Sequence, residues 1–133
     1  MANIEITTNK ARSVVVWDPV FEDDLVTFAG AATLKAGTIL ARDSVSRKLV
    51  PYVKGGATNE NGIPKAVLRD ELTAAGAGDL PCRPIIGGRI RKGDLVIDAD
   101  GDDSNVDAAV VDQLRDFSVI ALGTTQLAEL DNQ

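Results

Sequence analysis

The chain has 133 residues, of which 44% are hydrophobic and 26% charged, and its 20 acidic residues against 14 basic ones give a net charge of −6. This length suits one domain with one core, and the acidic balance disfavours nucleic acid and anionic lipid as partners. No histidine is present, so the usual proton shuttle and the commonest zinc ligand are missing. No apolar run is long enough to span a membrane.

The N-terminal segment predicts an extended arm over residues 1–12, followed by a single β-rich domain over residues 13–133. The arm is polar, and Ile4 and Ile6 alternate with polar residues, as in a short strand that has no hairpin partner nearby. It lacks the apolar core of a secretory signal. We therefore expect the protein to be made and used without export.

The first half of the domain consists of short apolar runs separated by turn residues, the pattern of a barrel or sandwich. The predicted strands cover residues 13–17, 24–29, 38–41, 48–53 and 65–68. Asp18 and Pro19 are expected to end the first strand. Leu34 and the turn at 35–37 predict a hairpin with 38–41, and the glycine- and asparagine-rich stretch 55–64 predicts the longest loop.

The second half predicts two more strands, 80–86 and 89–97, joined at Gly87 and Gly88. Two prolines, Pro81 and Pro84, confine the first of these to an edge or a bulge. The segment 70–78 has the composition of a single helical turn broken by glycines, and 118–122 predicts a last buried strand.

One short helix is predicted near residues 105–116. Ser104 or Asn105 supplies an N-cap, Asp107 lies in the first turn, and an apolar stripe includes Val110 and Leu114. The predicted fold class is therefore mainly β, a small barrel-like or sandwich-like domain with a minor α component and an extended N-terminal arm.

Three patterns resemble sites of chemistry, and each departs from its motif. The acidic loop 98–103 has carboxylates at calcium-loop spacing, but Ala109 stands where a bidentate glutamate is needed. The stretch 76–81 begins like a dinucleotide-binding loop, but Pro81 replaces its third glycine. Cys82 is the single cysteine and is interpreted as a small buried apolar residue. We predict no catalytic residue, no metal and no cofactor.

A basic cluster stands out in this acidic chain. It comprises Arg83, Arg89, Arg91 and Lys92, and strand alternation places Arg89 and Arg91 on the same face. Two interpretations remain open. The cluster is either a row of exposed cations that face the acidic loops, or a docking or subunit interface in which arginine pairs with carboxylates.

The order and spacing of the hairpin fragments are more specific than any fragment alone. The fragments are LKAGTILA at 34–41, KLVPY at 48–52, the loop at 55–64, the strand at 64–68, and 80–96 with its Gly87-Gly88 and Arg91-Lys92 elements. In this order, over about residues 30–125, the chain resembles the phage head decoration proteins typified by that of phage lambda.

The resemblance implies a non-enzymatic protein made in the host cytoplasm. It implies a homotrimer that binds the major capsid protein on the outer surface of the expanded head and stabilises the head against internal DNA pressure. The expected capsid-binding arm consists of Ala2, Asn3, Ile4, Glu5, Ile6 and Thr7. The trimer or docking interface is expected at Arg83, Arg89 and Arg91, with no nucleic acid or membrane partner. The alternative is another phage structural or tail-associated adaptor on a β scaffold.

Overall fold

A computed structural model describes Val14 and residues 16–123. Its strands are β1 (Val16–Phe21), β2 (Asp24–Phe28), β3 (Ala32–Leu34), β4 (Ile39–Arg42), β5 (Leu49–Pro51), β6 (Pro64–Val67), β7 (Leu72–Ala74), β8 (Gly78–Cys82), β9 (Ile85–Arg91) and β10 (Val119–Leu122). A 3-10 turn spans Lys92–Asp94, and helix α1 spans Ala108–Asp116. The predicted mainly β class is confirmed.

Eight of these strands form one curled sheet. Its order is β1-β9-β6-β4-β5-β2-β8, and β10 pairs in parallel with β9 outside this path. Strand β1 pairs with β9 and strand β2 pairs with β8, so that the two successive pairs form one long, bent two-stranded ribbon. Val16 lies opposite Ile90 at one end of the ribbon, and Phe28 lies opposite Gly78 at the other. The ribbon bends at residues 22–23 and 83–84, and this bend curls the sheet.

The central strand β4 is buried on both faces. Ile39 and Ala41 pack in an apolar cluster with Leu114 of α1, whereas Leu40 between them packs in a second cluster with Ala74 of β7. Strand β6 divides its residues between the two clusters in the same way. Each fully buried aliphatic side chain contributes roughly 1.5–3 kcal/mol of transfer free energy. Most of the stability of the fold therefore comes from these two central strands and from the elements that pack against their two faces.

The predicted helix near the C-terminal end is confirmed, but its predicted caps are wrong. Asp107 is the N-cap, and its side chain accepts a hydrogen bond from the backbone N–H of Val110. Ser104 and Asn105 lie too early, because the chain first inserts Val106 into the core and only then turns into the helix.

Two predicted local structures are replaced by one long-range pairing. The segment 70–78 forms β7 rather than a helical turn, and β7 pairs with β3 in a separate antiparallel sheet. The hydroxyls of Thr33 and Thr73 lie 3.1 Å apart across this pair. Because β3 pairs with β7, the predicted hairpin across 35–37 does not form. The hairpin between β4 and β5 does form.

The boundary predicted at Gly87 and Gly88 is also wrong, since both glycines lie inside β9. Gly88 has φ +120°, and a Cβ there would lie 2.8 Å from the carbonyl oxygen of Asp18. The glycine thus allows β1 to approach closely. Strand β1 likewise does not end at Trp17. It continues through an irregular stretch in which Asp18 has φ +54° and Pro19 lies on the sheet edge.

The fold depends on the absence of a side chain at Gly37. Its N–H donates to the carbonyl oxygen of Leu68, its own carbonyl accepts from the N–H of Val96, and a Cβ would lie 1.8 Å from the carbonyl oxygen of Asp94. With φ +94° as well, Gly37→Ala should lower the free energy of unfolding by at least about 2 kcal/mol. Urea denaturation measures this loss.

The matched control is Gly93→Ala. A Cβ at Gly93 has no heavy atom within 4 Å, and the residue has no positive φ. This variant should change the unfolding free energy by less than about 1 kcal/mol. Equal losses in the two variants would contradict the explanation.

Candidate functional site

The predicted capsid-binding residues lie outside the described part of the chain. They are Ala2, Asn3, Ile4, Glu5, Ile6 and Thr7. The described structure does show where the segment meets the folded body: the N–H of Val14 donates to the carbonyl oxygen of Arg69 at 3.0 Å, and Val14 is only 4% exposed. Val14, two residues after the end of the predicted arm, is therefore part of the core.

Among residues 16–123, the path of the curled sheet ends at two edge strands, β1 and β8, and β10 lies beside β9 outside this path. A free edge offers unpaired backbone groups to any passing strand. Here β1 carries the irregular stretch at Asp18 and Pro19, and β8 carries Pro81, which has no N–H to donate. Neither edge therefore presents a regular hydrogen-bonding ladder to another strand.

Arg89 and Arg91 flank Ile90, which is fully buried, so both arginines project from the opposite face of β9. Arg89 forms an ion pair with Asp18 of the neighbouring strand. Exposed pairs of this kind add little stability. The carboxylate that Arg89 faces belongs to the irregular part of β1 and not to the acidic loop at 98–103.

Arg83 lies at the bend of the ribbon, apart from the other two arginines. Its guanidinium is 3.6 Å from Asp23 and 6.0 Å from the centre of the Phe21 ring. Arg69 contacts the same ring at 5.2 Å. Two cations thus lie against one aromatic ring. No local sequence pattern singles out Arg69, because only the long-range packing of β1 brings it near Phe21.

The acidic loop 98–103 uses its carboxylates in its own turns. Asp102 accepts a hydrogen bond from the N–H of Ser104, which lowers the pKa of that carboxyl, and Asp100 accepts one from the Asn105 side chain. Within the described residues, no three acidic or cysteine side chains gather in a way that could hold a metal ion. The arrangement is that of a hydrogen-bonded surface loop.

Cys82 is half-buried rather than buried. Burial, together with the smaller effect of the nearby Asp24 and Asp23 carboxylates, raises the pKa of its thiol to about 11. A thiol with so high a pKa is a poor nucleophile at neutral pH. The glycine-rich stretch 76–81 leads into strand β8 and not into a helix, so it offers no helix N-terminus to a pyrophosphate.

Several surface carboxylates hold the connections between strands. Asp79 accepts hydrogen bonds from Lys48 and Thr27, at 2.6 and 2.7 Å, and these bonds lower its pKa. Asp107 is held in the same way by Lys54, and Asp43 by backbone N–H groups of its own turn. The folded state therefore favours the charged forms of these three carboxyl groups.

Stability should therefore fall in acid. The pKa of Asp79 in the folded protein lies below its ordinary value of 3.8. A lowered pKa contributes stability above pH 4 that is lost as pH falls through the folded value. Because the chain has no histidine, the unfolding free energy should be level between about pH 5 and pH 8. Urea unfolding at a series of pH values checks this.

Asp79→Asn is the variant for this test. It removes one shifted carboxyl, so its loss of stability below pH 4 should be smaller than that of the natural chain. A step in stability near neutral pH, or a gain of stability in acid, would contradict the prediction.

No helix in the described part of the chain is long and apolar enough to cross a membrane. A scan against protein families matches residues 7–119 to Bacteriophage lambda head decoration protein D. Searches of curated proteins and of solved structures found no match. The family match covers every strand from β1 to β9 together with α1.

Proposed function

Because the chain belongs to the bacteriophage lambda head decoration protein D family, we propose that it binds the outer surface of the expanded head as a homotrimer and stabilises the shell against the pressure of packaged DNA. The family places the protein on the capsid as a structural component. The match over residues 7–119 is the observation that carries this proposal. The protein is made in the host cytoplasm, catalyses no reaction, and binds the major capsid protein without nucleic acid or membrane.

The N-terminal arm is the proposed capsid-binding element. The arm adds to a capsid sheet as an extra strand, with the Ile4 and Ile6 side chains facing the capsid. Its backbone forms the regular hydrogen bonds that the irregular edge strands β1 and β8 do not offer. Val14, fixed in the core by its bond to Arg69, sets the point from which the arm leaves the body.

Multivalency makes this weak contact sufficient. A single backbone hydrogen bond contributes about 1 kcal/mol net, so one short arm binds weakly. Three arms on one trimer act together, and linked binding of this kind raises avidity by roughly 10² to 10⁴. The net charge of −6 helps to keep the free protein soluble until a regular lattice is available.

Co-sedimentation with phage heads tests the proposal. The natural chain should sediment with expanded heads and not with unexpanded precursors, and deletion of residues 2–12 should abolish binding while the domain stays folded. Sedimentation of the natural chain with neither kind of head contradicts the decoration role. Retained binding after the deletion contradicts the role of the arm.

Paired charge variants sharpen the test of the arm. Ile4→Asp with Ile6→Asp should abolish head binding, because the side of the arm that faces the capsid loses its apolar contacts. Thr8→Asp with Asn9→Asp adds the same charge outside the proposed capsid-binding residues and should bind more tightly than the isoleucine variant. Equal losses would mean that charge, and not apolar contact, controls binding.

The trimer interface is proposed to include Arg83, Arg89 and Arg91, which pair with carboxylates of a neighbouring copy. Replacing all three with alanine should weaken trimer formation, measured by sedimentation equilibrium over a range of protein concentrations. Trimers of the natural chain should also weaken with added salt, since exposed ion pairs are screened. Arg47→Ala, in the exposed turn between β4 and β5, is the control. An unchanged trimer in the triple variant would refute the interface.

A further inference from the structure

A homotrimer needs two different surfaces on each copy. Copies related by a threefold axis meet head to tail, so one patch of each chain contacts a different patch of its neighbour. The three arginines proposed for the interface, Arg83, Arg89 and Arg91, all carry positive charge. A second surface that offers carboxylates must therefore receive them.

Of these three arginines, Arg91 is the one available to a neighbouring copy. Arg89 already forms an ion pair with Asp18. The guanidinium of Arg83 lies 3.6 Å from the carboxylate of Asp23. Arg91 is exposed at the end of β9, and within residues 16–123 it forms no ion pair. Its side chain can therefore pair with a carboxylate of another copy.

A half-open cavity of about 180 Å³ provides a matching surface. It lies between residues 68–72, which lead into β7, and residues 81–83 at the end of β8. A cavity of about 150 Å³ lined by apolar side chains accepts a benzene-sized molecule. This cavity is therefore large enough for the methylene groups of one arginine side chain. Its apolar wall is formed by Leu68, Leu72, Pro81 and Cys82, and its polar rim by Asp70, Glu71 and Arg83.

An arginine side chain fits this combination of wall and rim. Its methylene groups pack against apolar surface while its guanidinium remains at the water-facing end. Glu71 is exposed at the rim and forms no ion pair within the described part of the chain. Its carboxylate can accept two parallel hydrogen bonds from a guanidinium. Asp70 adds a second negative charge beside it.

A second pair of charges defines the orientation of the contact. Asp94 follows Arg91 by three residues, at the end of the 3-10 turn. One surface thus carries a positive charge at Arg91 and a negative charge at Asp94. The cavity rim carries a negative charge at Glu71 and a positive charge at Arg83. Two surfaces with complementary charges of both signs favour a single docked orientation.

We propose that, in the trimer, the Arg91 side chain of each copy enters the cavity of the next copy and pairs with Glu71 there. Asp94 pairs with Arg83 on the same rim. This contact rests on the proposed homotrimer and specifies both of its surfaces. Each copy gives one arginine and receives one, and three such contacts close the ring.

Charge reversal tests this contact on expanded heads, where co-sedimentation gives the chain concentration at half-saturation. Arg91→Glu and Glu71→Arg should each raise this concentration at least about tenfold, because each variant brings like charges together. Both changes in one chain restore opposite charges at every contact, since each copy supplies both surfaces. The double variant should therefore bind within about threefold of the natural chain.

Arg47→Glu and Glu60→Arg are the matched controls, because they make the same changes of charge at exposed residues outside both surfaces. Neither should shift the half-saturating concentration by more than about threefold. Urea denaturation verifies that every variant is folded. A double variant that binds no better than the weaker single variant overturns the contact, as do equal losses in the controls.

The same variants separate this contact from the decoration role. Head binding by the natural chain without rescue in the double variant refutes the contact and leaves the decoration role intact. If the natural chain binds no heads, the decoration role is refuted, and sedimentation equilibrium of the same variants decides the contact. A natural chain that forms trimers neither on heads nor in solution refutes the homotrimer and the contact together.

Discussion

The burial of β4 and β6 on both faces is the constraint on which the rest of the structure depends. A strand with apolar side chains on both faces must be covered on both sides. Helix α1 and the residues around the 3-10 turn cover one face, and the small β3–β7 sheet covers the other. Gly37 connects the end of β6 to the segment that follows the 3-10 turn, because its backbone forms hydrogen bonds with the backbone of Leu68 and of Val96.

The sequence predicts those elements whose signals are local. Strands β2, β4, β5 and β6 have apolar runs bounded by turn residues, and α1 has a helical apolar stripe with Val110 and Leu114 buried. Strand β7 escapes prediction because it is three residues long and its partner β3 lies 40 residues earlier. The strand role of Gly88 depends on how closely β1 approaches, which no local pattern encodes.

The candidate site divides in the same way. Alternation along β9 predicts that Arg89 and Arg91 share a face, because the buried Ile90 between them fixes the phase of the strand. The contact of Arg69 with the Phe21 ring joins two segments that are far apart in sequence. Charge or hydrophobicity patterns of a single segment therefore cannot reveal it.

The bent ribbon has a mechanical consequence. Strand β1 is antiparallel to β9 and begins at Val16, so tension directed along β1 acts on its backbone hydrogen bonds in shear, with the bonds sharing the force. Tension directed across the strand would instead open them one after another. The direction in which the capsid pulls on a decorating subunit thus decides how much force the subunit withstands before β1 separates from the sheet.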